Sequence, residues 1–520
     1  MSLIYEFPFP PSGGDDTSVI QTAIDCLKNS CNGGAEFIFR YYSSPYLVTT
    51  LQIPSNIVII GNGVTIKQFA GSYNAPILML NAVNNINISG LSIDGNKYEM
   101  SPDGGGSYNF YNGIAIYGGN NIVLENLIFL NIIKRGILVW EENPETHFYS
   151  KNISILNCTG FEIGNAETGC WATFIDCCFA SNVYIDNIVI DGIYGVGSGI
   201  VNSNDIIINN FKCKNNTFDD GISIAGCTNV KVSNCIFENI AHCGVEINTT
   251  TNFEITNIKI TYSYEEEPAE LPLYGILIST YVDSQYPLIN GVPSKSGLIQ
   301  NIQFAIDLPY HNANYCDLLI TGSQNFTLFN IVSLHGVKFG YTTIDETEIY
   351  SQNMHILNSS ISDLYLIKCT NIFINNNLIT NLLNTASSYN LNQNYNGMDL
   401  FFKQYVANGA TATFYLPNLL DSTVSDDPAI IFGTLAIDNS FAAGSQSLQF
   451  TSKLLHVRAQ ATGDPISLYW ASQLISSLDG YISGKSFDYS LIKNQIQVYN
   501  SSGVDTYVRV NLKIAFDKYY

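Results

Sequence analysis

An asparagine phrase recurs through most of the chain. Each phrase has an Asn, then residues of alternating apolar character, then a second Asn five positions after the first. Asn tolerates the left-handed backbone of a sharp turn, so each phrase predicts a short strand between two turns. The pairs are Asn121/Asn126, Asn152/Asn157, Asn182/Asn187, Asn204/Asn209, Asn229/Asn234, Asn252/Asn257, Asn325/Asn330, Asn353/Asn358 and Asn371/Asn376. A unit that recurs in this way predicts a solenoid rather than one globular core.

A second phrase, Gly-apolar-x-apolar, interleaves with the first and sets the length of one coil. It begins at Gly113, Gly136, Gly221 and Gly244, and both neighbouring pairs are 23 residues apart. Three runs of two-residue alternation, separated by Gly and Asn turns within about 23 residues, are typical of one coil of a parallel β-helix. We therefore predict an all-β chain dominated by a parallel β-helix, with inward Ile, Val and Leu stacked about 4.8 Å apart.

The two ends of the chain differ from the solenoid pattern. The segment from Asp16 to Asn29 has capping residues followed by an apolar helical face, which predicts an N-terminal capping helix. From Gly397 the asparagine phrase stops, and alternating strands with Gly, Asp and Ser turns predict a β-sandwich-like module. The predicted domains are an N-terminal segment with the capping helix (1–50), the β-helix (51–385), a linker (386–396) and a C-terminal β-module for oligomerisation or glycan binding (397–520).

The chain is strongly acidic, with 22 Lys and Arg against 44 Asp and Glu and a net charge of −22. This charge excludes general nucleic-acid binding, because phosphate contacts need a basic surface. The first residues lack a basic segment followed by an apolar run, so we expect no ordinary signal peptide. No apolar run is long enough for a membrane span, so we expect no membrane insertion. A secreted enzyme normally needs a signal peptide, whereas a virion component released by lysis does not. We therefore expect a protein on a virion surface, with an extracellular enzyme as the alternative.

The first coils resemble a known superfamily. The matching stretches are Gly14–Ser18, Gly33–Phe39 and Ser55–Gly63. Together they resemble the start of the pectin-lyase-like superfamily, which includes polygalacturonases and many phage tailspike depolymerases. The resemblance covers roughly residues 13–385 and implies that the β-helix is right-handed. It departs from the superfamily at Arg40-Tyr41-Tyr42, where members commonly have a Pro-Pro-Gly turn.

A local match in the middle of the chain resembles the catalytic motifs of polygalacturonases. Asp219-Asp220-Gly221 is similar to their Asp-Asp motif, and His242-Cys243-Gly244 is similar to their Gly-His-Gly motif, one coil later. The resemblance implies that Asp219 and Asp220 activate water and protonate the leaving oxygen, with His242 tuning them. An inverting glycosidase needs two carboxyl groups in these roles, and Glu246 on the next strand is a further candidate.

Other parts of the polygalacturonase pattern are missing. One coil earlier, Gly197-Ser198-Gly199 contains no acid where the family has Asn-Thr-Asp. One coil later, Leu277 and Ser279 stand in place of an Arg-x-Lys clamp. The alternative interpretation is that the Asp-Asp pair and the His are turn residues without a catalytic role.

Aromatic and basic residues on neighbouring coils are candidates for binding a substrate. A groove of aromatic side chains and carboxylates suits a glycan chain, because sugar faces stack on aromatic rings. The candidate substrate-binding residues are Tyr117, Arg135, Trp140 and Tyr274. The Cys and His residues show no metal-ligand spacing, so we expect neither a metal site nor a cofactor.

These features support three hypotheses about function. The first is a tailspike-like virion protein that binds a host surface polysaccharide in an acidic groove and hydrolyses it. The second is a non-catalytic structural or receptor-binding spike, which the missing Asp and the missing basic clamp favour. The third is a secreted polysaccharide hydrolase or lyase of a cellular organism. The expected partners are a polysaccharide or surface glycan, two further copies of the chain in a homotrimer, and other virion proteins.

Overall fold

The computed structural model covers most of the β-helix and part of the C-terminal module. The described residues are 3–30, 34–70, 75–100, 111–140, 150–166, 169–262, 274–280, 292–306, 315–344, 347–375, 377–385, 389–391, 398–406, 411–415, 429–438, 447–451, 455–457, 487–492, 495–500 and 506–516. They fall into two compact units, residues 1–297 with 302–315 and residues 298–301 with 316–520.

The described part of the first unit has one helix, α1 (Thr17–Ser30), and many short strands. The strands are β1 (Leu3–Phe7), β2 (Ala35–Phe39), β3 (Tyr46–Val48), β4 (Leu51–Gln52), β5 (Ile57–Ile60), β6 (Thr65–Gln68), β7 (Leu78–Asn81), β8 (Asn84–Ser89), β9 (Ser92–Asp94), β10 (Asn112–Tyr117), β11 (Asn120–Glu125), β12 (Ile128–Leu130), β13 (Arg135–Trp140), β14 (Ser150–Leu156), β15 (Thr159–Ile163), β16 (Ala172–Cys178), β17 (Ala180–Ile193), β18 (Gly195–Val201), β19 (Asn204–Asn216), β20 (Ile222–Ala225), β21 (Thr228–Ser233), β22 (Ile236–Ile240), β23 (Cys243–Asn248), β24 (Thr251–Tyr262) and β25 (Tyr274–Ser279). The next strand, β26 (Lys295–Ile306), contains residues of both units.

The helix α1 forms because its first turn is capped and one of its faces is apolar. The Asp15 carboxylate accepts a hydrogen bond from the Thr17 amide at 2.9 Å, which satisfies one of the free N–H groups at the start of the helix. Ile20, Ile24 and Leu27 lie three or four residues apart and are buried. The predicted capping helix is therefore confirmed.

Parallel strands from successive coils stack in register and build the core of the first unit. One face runs through β7, β10, β13, β16, β18, β20, β23 and β25, and each neighbouring pair is parallel. At one position of this face the stacked, buried residues are Leu78, Ile114, Ile137, Ile175, Ser198, Ile222, Val245 and Ile276. Stacking removes these mostly apolar side chains from water while the strands satisfy each other's backbone groups. The predicted right-handed parallel β-helix is confirmed.

Asparagine side chains at the turns form a ladder of amide hydrogen bonds. Asn85, Asn121, Asn152 and Asn182 each donate from Nδ2 to Oδ1 of the equivalent Asn one coil earlier, at 2.6–3.0 Å. The same four residues have φ angles between 54° and 58°. Asn fits these positions because it tolerates the left-handed backbone and has both a donor and an acceptor for its neighbours.

The register corrects one asparagine pair of the sequence pattern. Asp205 and Asn210, not Asn204 and Asn209, have the positive φ angles of the turn positions, at 56° and 50°. The Asp205 carboxylate accepts a hydrogen bond from Nδ2 of Asn229 at 2.9 Å. Asp replaces Asn here because it also visits the left-handed region and accepts the hydrogen bond of the next coil.

The second unit has further strands. They are β27 (Cys316–Thr321), β28 (Gln324–Ser333), β29 (Val337–Ile344), β30 (Thr347–Tyr350), β31 (Gln352–Leu357), β32 (Ser360–Ile367), β33 (Thr370–Asn375), β34 (Leu378–Thr385), β35 (Tyr389–Leu391), β36 (Met398–Val406), β37 (Thr411–Tyr415), β38 (Ala429–Asp438), β39 (Ser447–Thr451), β40 (Leu455–Val457), β41 (Phe487–Ile492), β42 (Gln495–Asn500) and β43 (Thr506–Phe516). From β27 to β35 the described pairings are parallel, except that β29 and β30 are antiparallel.

The described strands of the C-terminal module form two antiparallel sheets. One has the order β36-β43-β38-β39, with β40 also paired to β38, and the other has the order β37-β42-β41. The predicted all-β module is confirmed. Most of the predicted linker, 386–396, lies outside the described residues, and the domain boundaries stay predictions. Among the described residues, no helix is long and apolar enough to cross a membrane.

Candidate functional site

Asp219 and Asp220 lie in the bend between β19 and β20, and His242 lies at the same corner one coil later. The Asn216 side chain fixes the bend. Its Oδ1 accepts hydrogen bonds from the amides of Phe218 and Asp219 at 3.0 and 3.1 Å, and its Nδ2 donates to the Asp220 carbonyl at 2.8 Å. The His242 amide donates to the Asp219 carbonyl at 3.4 Å. The structure thus brings three of the four predicted catalytic residues to one corner.

The carboxylate of Asp220 is used inside the protein. Its Oδ1 lies 2.6 Å from Nδ1 of His242 and accepts a hydrogen bond from the Cys243 thiol at 3.0 Å. Burial raises the pKa of Cys243 well above its usual value, so the thiol stays protonated and remains a donor. Only 3% of the Asp220 side chain is exposed, so this carboxylate anchors His242 and offers little surface to a substrate.

His242 carries the positive charge of this corner. Its hydrogen bond to Asp220 raises the pKa of His242 to about 9, although burial acts in the opposite direction. Burial also raises the pKa of Asp220, so the two groups compete for one proton. Because 29% of the imidazole side chain is exposed against 3% of the carboxylate, we assign this proton to His242, with Nδ1–H donating to Asp220.

Asp219 is the partly exposed carboxyl group of the corner, with 30% of its side chain accessible. Burial raises its pKa, and the neighbouring His242 and a hydrogen bond from Trp171 partly offset this rise. The Trp171 indole donates from Nε1 to Oδ2 of Asp219 at 3.2 Å. A carboxyl group with a raised pKa holds its proton closer to neutral pH, which is the property that a general acid needs.

Glu246 provides a second partly exposed carboxylate on the adjoining face. Its Oε2 accepts a hydrogen bond from Oγ of Ser223 at 2.7 Å, and the two residues are register partners on β20 and β23. The negative charge of Glu246 contributes to the raised pKa values of both Asp219 and Asp220. Glu246 therefore interacts electrostatically with the corner and belongs to the same site.

Arg135, a predicted substrate-binding residue, forms an ion pair with Asp176 on the next coil. The Nε atom of Arg135 lies 2.5 Å from Oδ2 of Asp176, and only 19% and 14% of the two side chains are exposed. The guanidinium charge is therefore largely compensated within the protein. This pairing leaves Arg135 poorly suited to clamp an acidic substrate.

Of the predicted aromatic residues, the structure brings Tyr274 to the carboxylate corner. Its ring lies edge-on to the His242 ring, with 6.1 Å between the centroids. Tyr117 and Trp140 are register partners at the C-terminal ends of β10 and β13. The Trp140 ring packs edge-on against Phe179. These two residues are several coils away from Asp219.

The sequence interpretation missed a row of aromatic residues that leads to the corner. Trp171 and Tyr194 immediately precede the register partners Ala172 and Gly195, and the ring centroids of Tyr194 and Phe218 are 4.7 Å apart. All three aromatic side chains are partly exposed. Phe218 directly precedes Asp219, and Tyr194 and Trp171 occupy the same position one and two coils earlier. Counting coils back from the Asp-Asp pair would therefore have found this row. Ser223 and Cys243 were also missed, although Cys243 lies within the quoted His242-Cys243-Gly244 motif and Ser223 follows Gly221 by two residues.

Asp220, His242 and Cys243 also have the chemistry of metal ligands. One ligand atom from each residue lies within 4.8 Å of the other two. A set of carboxylate, imidazole and thiolate groups is compatible with Zn²⁺. The hydrogen bonds from His242 and Cys243 already satisfy Oδ1 of the buried Asp220 carboxylate, so these contacts do not require a metal ion.

A scan against protein-family models found no match, and a search of curated proteins found none. Among solved structures, the chain is similar to a tailspike double mutant of E. coli bacteriophage HK620, with 13% identity, coverage of 99% of this chain and 94% of that chain, and a TM-score of 0.49. It is similar to the Streptococcus pneumoniae surface protein and adhesin PfbA, with 17% identity, coverage of 76% and 97%, and a TM-score of 0.37. It is also similar to the A-module of the Azotobacter vinelandii mannuronan C-5 epimerase AlgE6, with 13% identity, coverage of 73% and 96%, and a TM-score of 0.41.

The stacked parallel strands define the class of this protein. It is a right-handed parallel β-helix protein with an antiparallel all-β module at its C-terminal end. Within that class, its particular feature is a corner where two adjacent Asp residues, a His and a nearby Glu come together.

Proposed function

We propose that this protein binds a polysaccharide along the β-helix and hydrolyses it at Asp219 and Glu246. In this proposal Asp219 is the general acid that protonates the leaving oxygen, and Glu246 is the base that activates water. The observation that carries the proposal is a carboxyl group of raised pKa next to a second carboxylate on the same partly exposed surface. Two carboxyl groups in different environments are what an inverting glycosidase uses.

The proposal changes one role that the polygalacturonase resemblance implies. The resemblance implies Asp219 and Asp220 as the catalytic pair. An acid or base must reach the atom with which it exchanges a proton, and the Asp220 carboxylate is buried with two internal donors on Oδ1. We therefore assign Asp220 and His242 as positioning residues that hold the corner and its charge.

The aromatic row beside the corner supports a glycan ligand. Trp171, Tyr194 and Phe218 line the approach to Asp219, and Tyr274 lies beyond His242. Such rings offer apolar faces for sugar rings together with polar edges for their hydroxyl groups. A polysaccharide that lies along the coils would contact this row and present one glycosidic bond to the carboxyl groups.

Polysaccharide binding without cleavage is the second candidate function. It is favoured by the internal use of Asp220 and by the Arg135–Asp176 pair, because these charged groups serve the structure. A lyase needs a base such as Lys or Arg in the groove, and it has less support because Arg135 is ion-paired with Asp176. Placement on a virion surface, trimer formation and contacts with other virion proteins stay predictions.

The test is to incubate the protein with a panel of cell-surface polysaccharides and to follow three signals together. These are bound ligand, new reducing ends and unsaturated sugar products. Hydrolysis predicts new reducing ends without unsaturated products. Binding without new reducing ends would select the second candidate function, and unsaturated products would overturn hydrolysis in favour of elimination.

A further inference from the structure

Gly199 lies at a position where packing does not require glycine. On β18 it stands between Asp176 of the preceding coil and Ser223 of the following coil. A Cβ at Gly199 would meet only Thr173 Cγ2 at 3.5 Å and Asp176 Oδ1 at 3.9 Å, which are ordinary contacts. At Gly197, by contrast, a Cβ would lie 2.4 Å from a backbone oxygen. Gly199 also has no positive φ angle, so its missing side chain leaves space on the outside.

This missing side chain forms a notch between two fixed polar walls. On one side, the Asp176 carboxylate is held by Arg135 at 2.5 Å. On the other side, Ser223 holds the Glu246 carboxylate at 2.7 Å. Strands of one sheet are about 4.8 Å apart, so the backbones at Asp176 and Ser223 are separated by roughly 10 Å, with Gly199 between them. The notch therefore has carboxylate oxygens at both walls and backbone as its floor.

The charges around the notch favour an uncharged ligand. Glu246 brings negative charge, whereas the charge of Asp176 is largely offset by Arg135. The cations near the notch are already engaged, and the protonated His242 ring is paired with Asp220 at 2.6 Å. Arg135 is paired with Asp176, while Nζ of Lys134 donates to the Trp171 carbonyl at 2.6 Å and lies 4.8 Å from the Trp171 ring centroid. A uronate carboxylate in the notch would face the charge of Glu246 and the acceptor oxygens of Asp176, which costs binding free energy. Hydroxyl groups of a neutral sugar would instead donate hydrogen bonds to the carboxylate oxygens.

We propose that Gly199 is the floor of a subsite that takes an uncharged sugar ring between Asp176 and the Ser223–Glu246 pair. The inference rests on the proposed function, because it places the sugar that reacts next to Glu246. It departs from the polygalacturonase resemblance, which implies a uronic-acid polymer as the substrate.

The experiment compares Gly199→Val with Gly199→Ala and with a matched control, Gly14→Val, on neutral surface polysaccharides and on polygalacturonate. Gly14 also has an open Cβ position, with only Ser12 Oγ at 3.8 Å, and lies outside the site. We expect the wild-type protein to bind and cleave a neutral polymer and not polygalacturonate. Gly199→Val should raise KM at least about tenfold, because a branched side chain fills the notch. Gly199→Ala should have a smaller effect, and Gly14→Val should have none.

The thermal unfolding midpoint of each variant shows whether the fold is retained. Equal cleavage by folded Gly199→Val and wild type would overturn the subsite while leaving hydrolysis in place. Cleavage of polygalacturonate in preference to neutral polymers would also overturn it without touching the proposed function. Neither binding nor cleavage of any polymer by the wild-type protein would overturn both the subsite and the proposed function.

Discussion

Nδ1 of His242 and Oδ1 of Asp220 lie 2.6 Å apart, and this hydrogen bond joins two successive coils. The same nitrogen lies 3.9 Å from Oδ1 of Asp219. Asp219 and Asp220 are adjacent in the chain, yet 30% of one side chain and 3% of the other are exposed. The difference in environment, more than the shared motif, separates a carboxyl group that can meet a substrate from one that holds a neighbour in place.

The pKa of His242 makes a pH-dependent contribution to stability. The folded-state pKa is about 9 and the ordinary value is about 6.5, so the contribution is complete below about pH 6.5 and is lost as the pH rises through about 9. The groups that raise this pKa are Asp220, Glu246 and Asp219. We expect the difference in thermal midpoint between wild type and His242→Gln to shrink over this window, measured by thermal unfolding at a series of pH values.

The matched control for this prediction is His335→Gln. Asp317 raises the pKa of His335, so this variant should show a pH dependence of its own. In an Asp220→Asn background, the pH dependence due to His242 should weaken while that due to His335 should stay. A His242→Gln effect that is the same at every pH would contradict the assigned proton.

Replacing Trp171 with Phe should change the pH dependence of catalysis. The indole Nε1 hydrogen bond lowers the pKa of Asp219, so its removal in Trp171→Phe should raise that pKa further. A general acid works in its protonated form, so the alkaline limb of the kcat/KM profile should move to higher pH. Trp140→Phe is the control, because Trp140 packs against Phe179 away from this carboxyl group. An alkaline limb that moves to lower pH, or equally in both variants, would count against Asp219 as the acid.

Removing Arg135 should destabilise the fold. Arg135→Gln leaves the largely buried Asp176 carboxylate without its ion-pair partner, which costs about 3 kcal/mol of unfolding free energy in such settings. Arg40→Gln is the matched control, because Arg40 pairs with Glu6 at 3.1 Å with 55% and 58% of the side chains exposed. An exposed pair of this kind contributes about 1 kcal/mol or less. Similar shifts in the denaturant midpoints of the two variants would show that the Arg135 pair is not effectively buried.

The fold could be predicted from the sequence because most turns of the repeat are set by an Asn at the turn itself. Asn85, Asn121 and Asn152 each combine a positive φ angle with a hydrogen bond to the previous coil, so the pattern reports the register directly. The pair Asn204/Asn209 was misplaced by one residue because Asp205 can take the same turn position.

The candidate site was only partly predictable. The spacing from Asp220 to His242 is one coil, and the structure places the two side chains in contact. The burial of Asp220 could not be foreseen, because it depends on the bend that the Asn216 side chain holds. The partner of Arg135 was hidden for another reason. Arg135 pairs in register with Thr173, a step of 38 residues, so counting in plain coils does not lead from Arg135 to Asp176.

The most direct measurement is the hydrolysis rate of Asp219→Asn on the cleaved polysaccharide and on an aryl glycoside of the same sugar. When the phenol of an aryl glycoside is acidic, its phenolate leaves without protonation. Cleavage of this substrate therefore does not need the general acid. We expect a loss of about 10²- to 10⁴-fold in kcat on the polysaccharide, a much smaller loss on the aryl glycoside, and an unchanged thermal midpoint. Unchanged cleavage of the polysaccharide by folded Asp219→Asn would show that Asp219 is not the general acid.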